Sequence, residues 1–186
     1  MERRQYALAA EDYSAALAIT GDAEDQIGYM QAAYYNGQLA EARATAETLA
    51  AGGSSTNPLV NLILGRVLVD LAGDNDNTSL NRAVTYLTQA LNTLPAAQSA
   101  QRGATYEYLA RANLLLGNTD DALDAINNAL AIGDSGSRRY LRAQIYEDDN
   151  QRDEAIADYE WIMAWSQIYP FPFRVEVEDR LAELRG

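Results

Sequence analysis

The sequence repeats itself. A turn, a helix start and an apolar face at helical spacing run through "GNTDDALDAINNALAIG" (residues 117–133), and nearly the same phrase returns as "NQRDEAIADYEWI" (150–162). Related phrases stand at "RQYALAAEDYSAALAIT", "NGQLAEARATAETLA" and "TSLNRAVTYLTQALNTLP". Aligned on one small inner-face residue, Ala9, Ala42, Ala83, Ala122 and Ala155, the five copies are spaced by 33, 41, 39 and 33 residues. A period of this length is the mark of a stacked array in which each copy is one supersecondary unit and surplus residues go into loops.

A second small residue follows seven positions later in three copies, at Ala16, Ala90 and Ala129, each followed by leucine. Two small residues seven apart lie two turns apart on one helix face, so a neighbouring helix can approach closely there. Tyr13, Leu87, Ile126 and Tyr159, four residues past the first alanine, fill the remaining gap. Each such helix is preceded by another with its own apolar face, as in "ATYEYLARANLLLG" with Tyr106, Leu109 and Ala110 at i, i+3 and i+4. Gly37 and Gly117 suit the left-handed residue that ends a helix. Asn118 and Thr119 are the expected caps of the next helix, Asp120 and Asp121 sit in its first turn, and Pro58 takes a first helical position.

The pattern resembles the tetratricopeptide repeat, a family of stacked helix pairs. The resemblance is carried by the alanine pairs, by Leu64 and Gly65 in "LILGRVLVDLAG", by Tyr146 and by Pro95, and it extends from about residue 2 to 169. It implies an all-α fold, a right-handed α-solenoid of stacked antiparallel helix pairs. Residues 1-20 read as a lone helix, the second half of a truncated repeat; 21-169 as four helical hairpins; and 170-186 as a C-terminal capping helix, apolar at Val175, Val177, Leu181 and Leu184. An array that opens in mid-repeat points to a fragment of a longer parent chain or to an unusual N-terminal cap. Leu49 and Ile162 stand where the second small residue is expected, which predicts looser packing in those pairs. The stretches "AGDNDNTS" and "PAAQSAQRG" exceed the family's loops and are expected to lengthen flanking helices or bulge outward.

Residue types narrow the chemistry. The chain has no histidine and no cysteine, which removes the commonest general base, the commonest transition-metal ligand and any disulfide framework. No cofactor or metal is expected, and the chain reads as a non-enzyme. All 14 basic residues are arginines against 27 acidic ones, for a net charge of -13, so nucleic acid and anionic membrane are poor partners. The most apolar stretch carries Asn61, Arg66 and Asp70 and is too short to span a bilayer. The reading is a soluble, cytoplasmic chain, with export or anchoring through a segment ahead of Met1 as the alternative.

Three short phrases mimic active sites. "GDSGS" (133–137) is similar to the segment around a trypsin-like nucleophile but lacks a histidine base, so it reads as a turn. "DNDNTS" from Asp74 begins like a calcium loop but lacks its central glycine and closing glutamate, and reads as a polar insertion. The run Glu147–Asp149 reads as a solvated helix end.

Function is therefore expected on a surface. The resemblance implies that the first helix of each pair lines a concave groove that holds an extended peptide or a partner's helix. Carried onto this chain, the groove face offers Gln31 with Tyr34 or Tyr35, then Arg66 and Asp70, then Glu107 and Arg111, then Tyr140, Gln144, Glu147 and Asp148. Tyr34 and Tyr35 are adjacent and cannot face the same way, so one of them looks into the groove. Arg66 and Arg111 occupy corresponding places in consecutive pairs. They either form a joint anion site or pair with Asp70 and Glu107. The family's lysine-based carboxylate clamp has no counterpart, because the chain has no lysine. The partner is expected to be a protein or peptide; the other reading is a structural or self-association module that pairs through its terminal helices.

Overall fold

The computed structural model describes residues 2–186, with side chains from Arg4 onward. Among the described residues the regular structure is entirely helical: α1 (Glu2–Leu17), α2 (Ala23–Asn36), α3 (Leu39–Leu49), α4 (Pro58–Leu71), α5 (Asn77–Thr93), α6 (Ser99–Leu116), α7 (Thr119–Ile132), α8 (Gly136–Asp148), α9 (Arg152–Trp165) and α10 (Arg174–Arg185). A π-helical turn, Ala50–Ser54, follows α3. The chain divides into two compact units, Met1–Gln98 and Ser99–Gly186. In each unit every helix packs on the next, and first helices of consecutive pairs also touch, α2 with α4 in one unit and α6 with α8 in the other. No helix among the described residues is long and apolar enough to cross a membrane.

The turns follow from local chemistry. Gly37 and Gly117 adopt φ of +85° and +75°, and Asn150 takes the corresponding left-handed place at +59°. Each of the three stands five residues before the first alanine of its pair. Side chains close four of the helix starts: Asp22 accepts from the N–H groups of Glu24 and Asp25, Asn57 from that of Leu59 with Pro58 behind it, and Ser135 of the protease-like phrase from that of Arg138. Asp76, in the calcium-like phrase, accepts from Ser79 N–H and starts α5. Asn118 departs from expectation. It precedes α7 without accepting a capping bond, and its amide leans toward Asn113 Oδ1 at 3.5 Å. The stretch after Pro95 lengthens α6, which begins at Ser99.

The alanines sit where helices meet. Ala42, Ala83, Ala90, Ala122, Ala129 and Ala155 are all fully buried. In α1 the register differs: Ala10 is the buried residue, while Ala9 and Ala16 are only partly covered. Leu49 and Ile162 are buried and not expelled. The pair α2–α3 accommodates its leucine by exchanging sizes. Ala46 stands where Leu87, Ile126 and Tyr159 stand elsewhere, and buried Met30 takes the place of Ala110 and Ala143, twelve residues before the first alanine. Interior volume is conserved although its position moves, as close packing requires. In α10, Val177 and Leu181 face α9 as expected, but Val175 is 69% exposed. Its neighbour Arg174 opens the helix one turn ahead of the buried pair, so Val175 falls on the solvent side.

Candidate functional site

In the first unit the expected groove residues form an aromatic cluster around one arginine. Tyr34 points inward, 8% exposed, and its hydroxyl donates to Asp70 Oδ2 at 2.8 Å. Tyr35, 41% exposed, is the tyrosine left on the surface, as two adjacent residues of a helix require. The Arg66 guanidinium lies 4.7 Å from the Tyr34 ring centre and 5.6 Å from that of Tyr35, and its Nη1 donates to the Tyr35 hydroxyl at 3.2 Å. Tyr6 of α1 stacks on Tyr35 at 4.9 Å. The two rings, whose centres are 5.3 Å apart in an edge-on pair, hold the guanidinium by cation–π attraction and leave its edge to make hydrogen bonds. Gln31 lies one turn earlier on α2 and is partly buried. Tyr6 belongs to this cluster and was not legible from the spacing of first helices, because it comes from α1.

The second unit contains a cleft of about 630 Å³ between α6, α8 and α10. Leu114 and Leu115 of α6 form an apolar wall, and Leu115 is 57% exposed. Arg111 stands on the same helix, its guanidinium 5.1 Å from the Tyr108 ring centre. Tyr140, Gln144, Glu147 and Asp148 line the side formed by α8, so with Arg111 five of the expected residues meet here. Glu107 is drawn away from the cleft. It accepts from Arg138 Nε at 3.1 Å, and Arg138 also donates to the carbonyls of Ala129 and Gly133, joining α6, the end of α7 and α8.

Glu147 corrects the reading of its run as a solvated helix end. Its side chain is 14% exposed; it accepts from the Tyr159 hydroxyl at 2.5 Å and pairs with Arg180 of α10 through two guanidinium nitrogens. Burial and the bond to Glu147 push the Tyr159 hydroxyl well above the ordinary tyrosine range, while the bond to Glu147 raises Arg180. Tyr140 stacks on Phe173 at 4.6 Å, and burial together with its hydrogen bond to Glu176 raises it likewise. Asp148 remains exposed, as read from the sequence. Arg180, Glu176 and Tyr159 belong to the cleft but were absent from the expectation, since nothing in "EVEDRLAELRG" says that the last helix turns charges toward α8.

One buried carboxylate lies outside both clusters. Asp158 of α9 is 2% exposed, accepts from Arg142 Nε and Nη2 at 2.6 and 2.8 Å, and accepts from Arg139 Nη1 at 2.8 Å. Arg139 stacks on Trp161 and also forks onto Asp134. The signal was present in the sequence: a charge three residues past Ala155 interrupts the apolar face of α9.

Pairs of short helices joined by left-handed turns, with buried alanines at most of their contacts, define an all-α solenoid of tetratricopeptide type. The crystal structure of a thermophilic TPR protein from Thermus thermophilus has the same fold. The two superpose with a TM-score of 0.66 over 97% of this chain and 90% of that one, at 22% sequence identity. No family model matches the sequence, and no curated protein matches it.

Proposed function

We propose that the chain is a non-catalytic protein-interaction scaffold that holds a peptide or partner helix on the face formed by the first helices of its pairs. The observation that carries the reading is the cleft of the second unit, where an exposed apolar wall at Leu115 stands opposite the polar edge of Gln144 and Asp148. Apolar surface beside a few convergent polar groups is what a peptide site needs, the first for affinity and the second for orientation. In the first unit Gln31, Tyr35, Arg66 and Asp70 are the corresponding contact residues. Residues 21-169 act as four helical hairpins, α1 as the second half of a repeat and α10 as the cap.

Peptides selected from a random display library on the full chain test this. Peptides that use the cleft should lose at least about tenfold in affinity when Leu115 is replaced by Glu, because about 1.4 kcal/mol is a factor of ten and a buried leucine contributes about 1.5 to 3 kcal/mol. Selected peptides that bind wild type and Leu115→Glu equally would sink the proposal.

A second reading, self-association through the terminal helices, is favoured by one observation. Ala9 and Ala16 of α1 are only partly covered while their counterparts in later pairs are fully buried, and Leu8 and Ile19 are 54% and 86% exposed. Sedimentation over a concentration series separates the two readings, since a scaffold with an open groove stays monomeric.

A further inference from the structure

We infer that the cleft of the second unit takes a basic peptide, with an arginine or lysine side chain laid along Leu115 and its charged head between Asp148 and Glu176. The inference rests on the reading of this cleft as a peptide groove and adds the chemistry of the ligand.

The charges lining the cleft are those of Glu147, Asp148, Glu176, Arg111 and Arg180. Arg180 and Glu147 close on each other through two hydrogen bonds, and Arg180 reaches Glu183 as well, so this pair presents little net field to an incoming group. Asp148 is exposed at the end of α8. Glu176 is exposed on α10 beside Tyr140, and its carboxylate has acceptor sites to offer. Against these two carboxylates stands Arg111, whose guanidinium lies over Tyr108. The local balance is therefore negative.

The whole chain, at -13, adds a field of the same sign, which raises the local concentration of cations and repels a peptide carboxylate or phosphate. The apolar wall completes the match. Lysine and arginine carry a long aliphatic stem below a charged head, and such a side chain covers apolar surface while its head stays at a polar edge. Leu114 and Leu115 supply the surface for the stem, and Gln144 adds an amide oxygen that can accept from the head.

Three matched peptides test the inference on the full chain with labelled leucine methyls: acetyl-Ser-Gly-Leu-Arg-Leu-Gly-Ser-amide, its twin with citrulline for arginine, and its twin with glutamate. The arginine peptide should shift the Leu115 methyls and bind about fivefold tighter than the citrulline twin, as expected for one or two partly exposed charge pairs. The preference should shrink with added salt and vanish in the Asp148→Asn, Glu176→Gln double variant, with citrulline binding unchanged. Equal binding of the arginine and citrulline peptides at Leu115 would overturn the cation preference and leave the groove standing. Tighter binding of the glutamate peptide would overturn it in favour of Arg111 as an anion site. If no peptide of the three moves Leu115, the groove itself falls.

Discussion

The side chain of Leu87 lies over the α-carbon of Gly65: a Cβ built on that glycine would come within 2.6 Å of Leu87 Cγ and 3.3 Å of the Ala83 carbonyl oxygen. Both residues belong to the contact between α4 and α5, and Leu87 is fully buried, so it has no room to withdraw. Tyr13 covers Gly28 in the same way between α1 and α2. Large residues on the second helix of a pair are thus seated in notches on a neighbouring helix.

Gly65→Ala tests the notch. Alanine in a helix interior is favoured over glycine by about 1 kcal/mol, whereas overpacking a core costs about 1 to 3 kcal/mol. With Leu87 fixed on all sides the second effect wins, and urea unfolding should show a net loss of about 1 kcal/mol. Adding Leu87→Ala should cost less in the Gly65→Ala background than in wild type, since it removes the Cγ and Cδ2 atoms that collide. A Gly65→Ala variant more stable than wild type would show that the two helices are not in close contact there.

Asp158 should be the least replaceable charge in the second unit. Its carboxylate is buried between Arg139 and Arg142, and removing one partner of a buried pair leaves the others desolvated without compensation. Asp158→Ala is expected to lose about 3 to 5 kcal/mol by denaturant unfolding. Asp134→Ala removes the other partner of Arg139, a side chain 44% exposed, and should cost less than about 1 kcal/mol. Equal losses would mean that burial does not distinguish the two carboxylates.

The repeat, the helical class and the packing alanines were legible in the sequence because each depends on local spacing: a glycine or asparagine five residues ahead of an alanine forces the turn, and the alanine permits the approach. The cleft was half legible. Tyr140, Gln144, Glu147 and Arg111 could be placed by counting along first helices, but Arg180 and Glu176 arrive from α10 across a loop whose path no periodicity encodes. Arg138 was missed for a related reason, since two of its partners are backbone carbonyls at the end of another helix. Asp158 was readable in principle, as a charge on an apolar face.

Alkaline pH should destabilise the chain through tyrosine alone. There is no lysine or cysteine, and arginine stays protonated, so the side chains that titrate near pH 10 are tyrosines. Tyr140 and Tyr159 are held above the ordinary value by burial and by their carboxylate partners, whereas in the unfolded chain they ionise near 10. Stability from these groups is fully present below pH 10 and is lost as pH rises beyond it, because the unfolded state releases its protons first. The denaturant midpoint should fall between pH 9 and pH 11, and Tyr159→Phe should reduce that fall. A midpoint that is flat over this interval would show that neither hydroxyl is sequestered.

The central claim is that the face built by α6 and α8 is where a partner binds. A methyl nuclear Overhauser experiment on the full chain, with a peptide selected by display, tests it most directly. The account predicts intermolecular contacts to Leu114, Leu115 and Leu141, which line the cleft, with none to Leu123 or Leu130, which are partly buried on α7 outside it. Contacts confined to the exposed Ile168 beside Trp165 and Tyr169, with the methyls of the cleft unmoved, would contradict it.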